Sequence, residues 1–221
     1  MDLKRKIAWV GVGLASLVSS YILPGIIATS TSNGDHRLPT YENLSSYQDY
    51  SLEDLTINGS TYRTLTNKKP ARIVALAFGT NTASGSSNYR LAEAAIAAQR
   101  YYFEAPIYAQ KEVSKILTSL AVKNIELVTI GEVWREYADT SEMFRRLKVL
   151  SNGASGDNLV IAHPAQMERA RYMADYGGLE TIPFLNSEPG WNKNDTQGWV
   201  TSPNCWSIRE FAVRAIDAHR F

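Results

Sequence analysis

The chain has 221 residues, of which 44% are hydrophobic, so it is long enough for one domain with its own core and an appendage. Its 23 basic and 22 acidic residues give a net charge of +1, which excludes the basic field typical of nucleic-acid-binding proteins. The single cysteine, Cys205, excludes an internal disulfide framework and a multi-cysteine zinc site.

The N-terminal segment is predicted to carry the chain into a membrane. Residues 1–6 include three consecutive cations, and residues 7–28 carry no charge. Because about 20 apolar residues span the hydrocarbon core, residues 7–28 predict a single-pass anchor. The positive-inside rule keeps residues 1–6 in the cytoplasm and the C-terminal domain outside it. The alternative is a signal peptide cleaved after Ala28, which exports the domain as well.

Residues 29–70 are rich in Ser, Thr, Asn and Tyr and show no sustained period. They predict a linker and an irregular arm. Within this segment the Asn58-Gly59 pair is a turn signal, and it predicts a short strand or a hairpin around Asp54 to Leu65.

Residues 71–221 alternate strand and helix patterns. The apolar run from Ile73 to Phe78 is typical of a strand buried on both faces. Further strands are predicted at 106–109, 125–130, 159–162 and 181–185. One helix is predicted to open at residues 88–90 and to include Leu91 and Ala98, and others are predicted at 111–120, 140–150, 166–176 and 206–219. Short connections between alternating strands and helices favour right-handed βαβ units. The predicted fold is a Rossmann-like three-layer α/β sandwich with a mostly parallel sheet.

Polar residues follow the ends of the predicted strands, and the carboxyl ends of parallel strands meet at one edge of the sheet, where ligands bind. We therefore expect a single crevice there. Its candidate residues are Gly79, Thr80, Asn81, Gln110, Glu112, Glu132, Asp139, Thr140, Glu142, His163, Gln166 and Arg169. A long loop, residues 186–204, follows the last strand, and loops of this length are often functional.

Basic residues near two helix starts predict an anion-binding site. Arg90 and Arg169 could each hold a phosphate through a bidentate guanidinium contact. The free backbone N–H groups of a helix start favour the same kind of ligand.

The candidates for acid–base chemistry are His163, which could move a proton at neutral pH, and the glutamates Glu112, Glu132 and Glu142. The same carboxylates could hold a divalent cation through their oxygens. Structural alternatives stand beside these roles. Glu142 could pair with Arg146 one turn later, and His163 could cap its own turn.

The order of these pieces resembles the YdcF-like and SanA/ElyC-like family, the bacterial group of domains of unknown function numbered 218. The resemblance covers about residues 72–220. It is carried by Gly79, Arg90-Leu-Ala-Glu-Ala, Glu112, Asp139-Thr140-Ser-Glu142-Met143, Gln166-Met-Glu-Arg169-Ala170 and Arg209-Glu210. The N-terminal anchor is similar to that of the SanA branch.

Three departures from the family pattern concern its site. The Ser-Gly-Gly after the second strand is replaced by Tyr108-Ala-Gln110, which removes a nest of backbone donors. The Asn of the third motif is Asp139. The His of the fourth motif is Gln166, with His163 three residues earlier.

The resemblance implies a domain that works in cell-envelope biogenesis or barrier function at the bacterial cell membrane. Its ligand would be phosphorylated or nucleotide-like, for example a lipid-linked envelope precursor. A hydrolase or transferase would use His163 or Glu142 as its acid–base group. The expected ligand-binding residues are Gly79, Thr80, Asn81, Arg90, Glu112, Asp139, Thr140, Gln166 and Arg169.

Two other functions compete with this one. The missing Ser-Gly-Gly and the presence of Gln166 favour a non-catalytic binding or scaffolding domain that keeps the fold. A cytosolic nucleotide enzyme would require that the N-terminal segment is not an anchor. The sequence predicts no metal site and no nucleic-acid partner, and it names neither a cofactor nor an oligomeric state.

Overall fold

The structure is a computed structural model that describes residues 52–57, 60–65, 68–121, 126–131, 139–153, 155–186, 190–207 and 209–210. The helices and strands in chain order are β1 (Leu52–Ile57), β2 (Ser60–Leu65), β3 (Arg72–Ala75), α1 (Ser87–Tyr101), β4 (Ile107–Gln110), α2 (Lys111–Ser119), β5 (Leu127–Ile130), α3 (Thr140–Leu150), β6 (Asn158–Ile161), α4 (Pro164–Tyr176) and β7 (Thr181–Asn186). A short 3-10 helix, Gly198–Val200, follows.

The strands form one seven-stranded sheet in the order β1-β2-β7-β6-β3-β4-β5. The five strands from β7 to β5 are parallel to one another. This arrangement confirms the prediction of a Rossmann-like α/β fold with a mostly parallel sheet. The chain runs outward from β3 to β5 and then returns to β6 on the other side of β3. The order therefore reverses between β3 and β6, which is the switch point where such sheets bind ligands.

Helices cover the central strands because these strands are apolar on both faces. Every residue of β3 and β6 is buried. Val74 and Val160 belong to a core cluster that includes Met143, Phe144 and Met173 from α3 and α4. Successive side chains of a strand alternate between its two faces, so the neighbours of Val74 and Val160 point to the opposite face. Helix α1 packs against β3.

Helix α1 can approach the sheet closely because half of its buried residues are alanine. Its buried residues include Leu91, Ala94, Ala95 and Ala98, the positions that the sequence pattern predicts. The side chain of Ser86 caps the helix by accepting a hydrogen bond from the Tyr89 N–H at 3.2 Å. The cap fixes the point at which the chain leaves the loop after β3.

The N-terminal hairpin belongs to the sheet. Strands β1 and β2 pair antiparallel, as predicted, and Arg63 of β2 pairs with Leu185 of β7. The Tyr62 ring stacks on the Phe184 ring with 5.0 Å between the centroids. The sheet thus starts before residue 71, where the sequence pattern puts the beginning of the α/β domain. A local pattern reveals the hairpin but not its partner strand, which comes much later in the chain.

The chain divides into two compact units, Tyr41–Pro203 and a second unit of Met1–Thr40 with Asn204–Phe221. The sheet and helices α1 to α4 belong to the first. In the second, residues 204–207 and 209–210 are helical, and the rest of the predicted C-terminal helix lies outside the described residues. There the Arg209 guanidinium lies 5.2 Å from the centroid of the Trp206 ring.

Within the described residues, no helix is long and apolar enough to cross a membrane. The predicted anchor, residues 7–28, lies outside those residues, as do residues 1–6 and most of the linker.

Candidate functional site

Three aromatic rings close the switch point between β3 and β6; we call Phe78, His163 and Trp191 the aromatic cluster. Phe78 follows β3, His163 follows β6, and their rings stack with centroids 3.7 Å apart. The Trp191 ring meets both edge-on, with centroid distances of 5.4 Å to Phe78 and 4.8 Å to His163. The cluster joins the ends of the two strands to the long loop that follows β7.

Both ring nitrogens of His163 are engaged within the protein. Nδ1 accepts a hydrogen bond from the Ala165 N–H at 3.1 Å, and Nε2 lies 3.2 Å from the Gly190 carbonyl oxygen. An acceptor at Nδ1 assigns the proton to Nε2, which then donates to Gly190. Burial of the ring lowers the pKa of His163 to about 4. The ring is therefore neutral at pH 7 and caps α4, which is the structural alternative that the sequence allows.

The loop after β3, residues 76–86, wraps around a carboxylate from the distant loop. Asp195 Oδ2 accepts hydrogen bonds from the N–H groups of Thr80 at 2.9 Å and Asn81 at 2.8 Å. Asp195 Oδ1 accepts from the Thr80 hydroxyl at 3.0 Å and from the Gln197 N–H at 2.8 Å. Two predicted ligand-binding residues thus bind an internal anion.

Gly79 makes this close approach possible. Its φ is +85°, a conformation that residues with a side chain rarely adopt. A Cβ at this position would lie 2.4 Å from Asp195 Oδ2. The predicted contact of Gly79 with a ligand is, in this structure, a contact with Asp195.

Two buried asparagines hold the loop, and sequence patterns did not single them out for this role. Asn88 accepts from the Phe78 N–H at 2.7 Å and donates to the carbonyl oxygens of Gly79 and Asn81. Asn192 accepts from the Ser87 N–H at 3.0 Å, at the start of α1. The only sequence signal for Asn192 and Asp195 is the length of the loop that carries them.

The α3 and α4 helix starts meet at Thr140, Gln166 and Arg169, which we call the Arg169 cluster. The Thr140 hydroxyl accepts hydrogen bonds from Gln166 Nε2 at 3.2 Å and from Arg169 Nη2 at 3.0 Å. All three residues are at most 5% exposed. Gln166 Oε1 has no hydrogen-bond partner among the described residues. The fold thus brings three predicted ligand-binding residues together at the carboxyl edge.

Asp139 and Glu142 have helix-start roles. Asp139 caps α3, because its Oδ1 accepts from the Glu142 N–H at 2.8 Å. The Glu142 carboxylate pairs with Arg145 at 2.7 Å and with Arg146 at 2.6 Å. The hydrogen bond from Arg145 is the largest of the effects that lower the pKa of Glu142 to about 2. The ion pair with Arg146 is the structural alternative expected from the sequence.

Glu112 is the buried carboxyl group next to the switch point. It lies in the first turn of α2, which follows β4 directly. Gln110, the last residue of β4, accepts a hydrogen bond from the Ala77 N–H through its Oε1 at 2.9 Å. Glu112 is 7% exposed, and its Oε2 has no hydrogen-bond partner within the described part of the chain. Burial raises the pKa of Glu112. Glu132, the third candidate carboxylate, lies outside the described residues.

Arg90 lies apart from the Arg169 cluster. It is exposed in the first turn of α1.

Across the residues that the structure describes, no group of three or more His, Cys, Asp or Glu side chains could hold a metal ion. The Arg169 cluster places a buried guanidinium and the unpaired Gln166 Oε1 of the described residues at the carboxyl edge of the sheet.

Comparisons of the chain with protein-family models, with curated proteins and with solved structures found no match.

Proposed function

We propose that this chain is an exported, membrane-anchored α/β domain that binds a phosphorylated or nucleotide-like ligand at the carboxyl edge of its sheet. The observation that carries the proposal is the buried guanidinium of Arg169, bonded to Thr140 at the start of α3. The cell envelope as its place of work, and a lipid-linked precursor as the ligand, follow from the resemblance to the YdcF-like and SanA/ElyC-like family.

A buried guanidinium beside a helix start attracts anions strongly. Water screens a charge much less at a buried site than at the surface, so the attraction between Arg169 and a phosphate is larger there. The first turn of α3 adds backbone N–H groups and the positive end of the helix dipole. Thr140, the first residue of α3, already bonds to Arg169 and would bring the two donor groups to the same ligand.

The loop after β3 is the second place where an α/β fold binds phosphate, and in this chain Asp195 fills it. The proposed phosphate therefore binds at the Arg169 cluster. Arg90 is exposed, so it would reach the ligand only from the rim.

The second candidate function, a non-catalytic binding or scaffolding domain, is favoured by the state of the two acid–base candidates. His163 is neutral at pH 7 with both nitrogens engaged. Glu142 is held by two arginines. A hydrolase or transferase using His163 would have to release its ring from the Gly190 carbonyl. Glu112 is the buried carboxyl group that such an enzyme could use instead.

The test is a melting-temperature scan of the full-length chain in mild detergent against inorganic phosphate, nucleotides, sugar nucleotides and polyprenyl phosphates. A ligand at a hundred times its Kd should stabilise the wild type by about 2.7 kcal/mol. Arg169→Ala should lose this stabilisation, because it removes the buried cation. Arg100→Ala, which removes an exposed arginine in the last turn of α1, should keep it.

Two outcomes would separate the candidates. A stabilising ligand with no turnover would favour the binding domain over the enzyme. Flat curves for every ligand, with Arg169→Ala still folded, would overturn the proposal and direct the search to a protein partner.

A further inference from the structure

The Asp195 loop, residues 190–197, occupies a site built for an anion. We propose that this loop is a displaceable plug, and that a phosphate or carboxylate group of a ligand can replace the Asp195 carboxylate against Thr80 and Asn81. This would be a second anion site beside the Arg169 cluster. It rests on the proposed function only for the class of the ligand.

Every polar contact that the described residues make with the Asp195 carboxylate comes from a donor. The backbone N–H groups of Thr80, Asn81 and Gln197 lie 2.8–2.9 Å from its oxygens. The Thr80 hydroxyl donates at 3.0 Å and Asn192 Nδ2 at 3.4 Å. A pocket that offers several donors to two oxygens is complementary to an anion rather than to a neutral amide.

The Asp195 carboxylate lies close to the backbone of Gly79, where a side chain would not fit. A Cβ on Gly79 would approach Asp195 Oδ2 to 2.4 Å and the Val200 side chain to 2.7 Å. Asn88 fixes the loop from the other side by bonding to Phe78, Gly79 and Asn81. This rigid support keeps the donors in place whichever anion they hold.

Polar contacts hold the Asp195 loop to the body of the fold. The Ser87 hydroxyl donates to the Gly190 carbonyl oxygen at 2.6 Å, and Asn192 accepts from the Ser87 N–H. Lys193, Asn194 and Thr196 are exposed. An incoming anion would replace the hydrogen bonds that the Asp195 carboxylate accepts, so the donors of Thr80 and Asn81 would keep an acceptor. Displacement would also move Trp191 away from Phe78 and His163.

The experiment compares the full-length wild type with Asp195→Ala during titration with inorganic phosphate or acetate, using chloride at equal ionic strength as the reference. Melting temperature and tryptophan fluorescence are the readouts, and Trp191→Phe identifies the part of the signal that comes from the loop. Removing the internal competitor should tighten phosphate binding by about tenfold or more. Asp175→Ala, which removes an exposed carboxylate near the end of α4, should leave the affinity unchanged.

Asp195→Asn provides a second variant that leaves no cavity. Its amide would point N–H groups at donors, so the loop should loosen and phosphate affinity should again rise. Equal affinities in the wild type and both variants would overturn the proposal. If neither variant folds, the carboxylate is a structural requirement rather than a plug, and the proposal also fails.

The double variant Asp195→Ala with Arg169→Ala distinguishes this site from the Arg169 cluster. Phosphate binding that survives in the double variant belongs to the Thr80 and Asn81 donors. Binding that Arg169→Ala abolishes in every background, with no gain from Asp195→Ala, would keep the proposed function and reject the plug.

Discussion

The imidazole of His163 has the surroundings of a buried, neutral ring. It lies against Phe78, donates to the Gly190 carbonyl and accepts from the Ala165 N–H. Desolvation opposes its positive form, and no carboxylate contacts it among the hydrogen bonds of the described residues. His163, which the sequence pattern predicts as a proton carrier, is therefore held in its neutral form at pH 7.

This state predicts a pH dependence of stability. The pKa of His163 is 6.5 when unfolded and about 4 when folded, so stability is complete above pH 6.5 and falls as the pH drops toward 4. Protonation of the unfolded ring should cost the wild type about 2 kcal/mol of unfolding free energy between about pH 7.5 and about pH 5.

Urea unfolding at the two pH values tests this prediction. His163→Gln should be less stable at pH 7 but should lack this part of the pH dependence, whereas His36→Gln, in the predicted linker, should keep it. An unchanged pH dependence in His163→Gln would show that other groups cause the loss.

Helix α3 begins at a local sequence signal and also carries a residue of the Arg169 cluster. Asp139 caps its first turn, and Thr140 in the same turn carries the hydrogen bonds from Gln166 and Arg169. The cap that starts the helix thus also positions the Thr140 hydroxyl, which accepts hydrogen bonds from the two α4 side chains. The sequence pattern predicted the bounds of α3, 140–150, as the structure has them.

Loss of the helix cap at Asp139 should destabilise α3. Asp139→Ala should lower the free energy of unfolding by about 1 kcal/mol, because the Glu142 N–H loses its acceptor. Asp139→Asn keeps a capping oxygen and should remain close to the wild type. Denaturant unfolding measures both variants. Equal losses in the two would mean that the charge of Asp139, and not its cap, stabilises the helix.

The whole molecule combines a proposed ligand-binding edge with a predicted membrane anchor. The switch point between β3 and β6 collects the aromatic cluster, the Asp195 loop and the Arg169 cluster at the carboxyl edge of the sheet. The anchor at residues 7–28 stays a prediction from hydrophobicity and charge alone. The orientation of the anchor determines the compartment in which the crevice lies, and the compartment determines which ligands are present.

Cell fractionation tests the anchor with a C-terminal reporter that is active only outside the cytoplasm. The full-length chain should be recovered with membranes and its reporter should be active, because residues 7–28 span the bilayer. A variant that lacks residues 7–28 should be soluble with an inactive reporter. An exported soluble product that begins near residue 29 would favour the cleaved signal peptide. A soluble cytoplasmic full-length chain would instead support the cytosolic nucleotide enzyme.

Local chemistry determined the elements of this protein, because hydrophobic period, caps and turn residues act within a few positions. The runs around Ile73 and Leu159 predicted β3 and β6, the helix pattern predicted α3 over 140–150, and Asn58-Gly59 predicted the hairpin. These signals also predicted the parallel sheet and the edge at which polar residues collect.

Only the tertiary structure decided what those polar residues contact. Asp195 reaches the Thr80 N–H across a sequence separation of 115, and Arg169 reaches Thr140 across 29. No local pattern records such a pairing, since its free energy comes from geometry that exists after the sheet has formed. For the same reason the sequence could name His163 and Glu142 as acid–base candidates. Burial in the folded protein keeps His163 neutral, and the hydrogen bond from Arg145 is the main reason that Glu142 stays ionised.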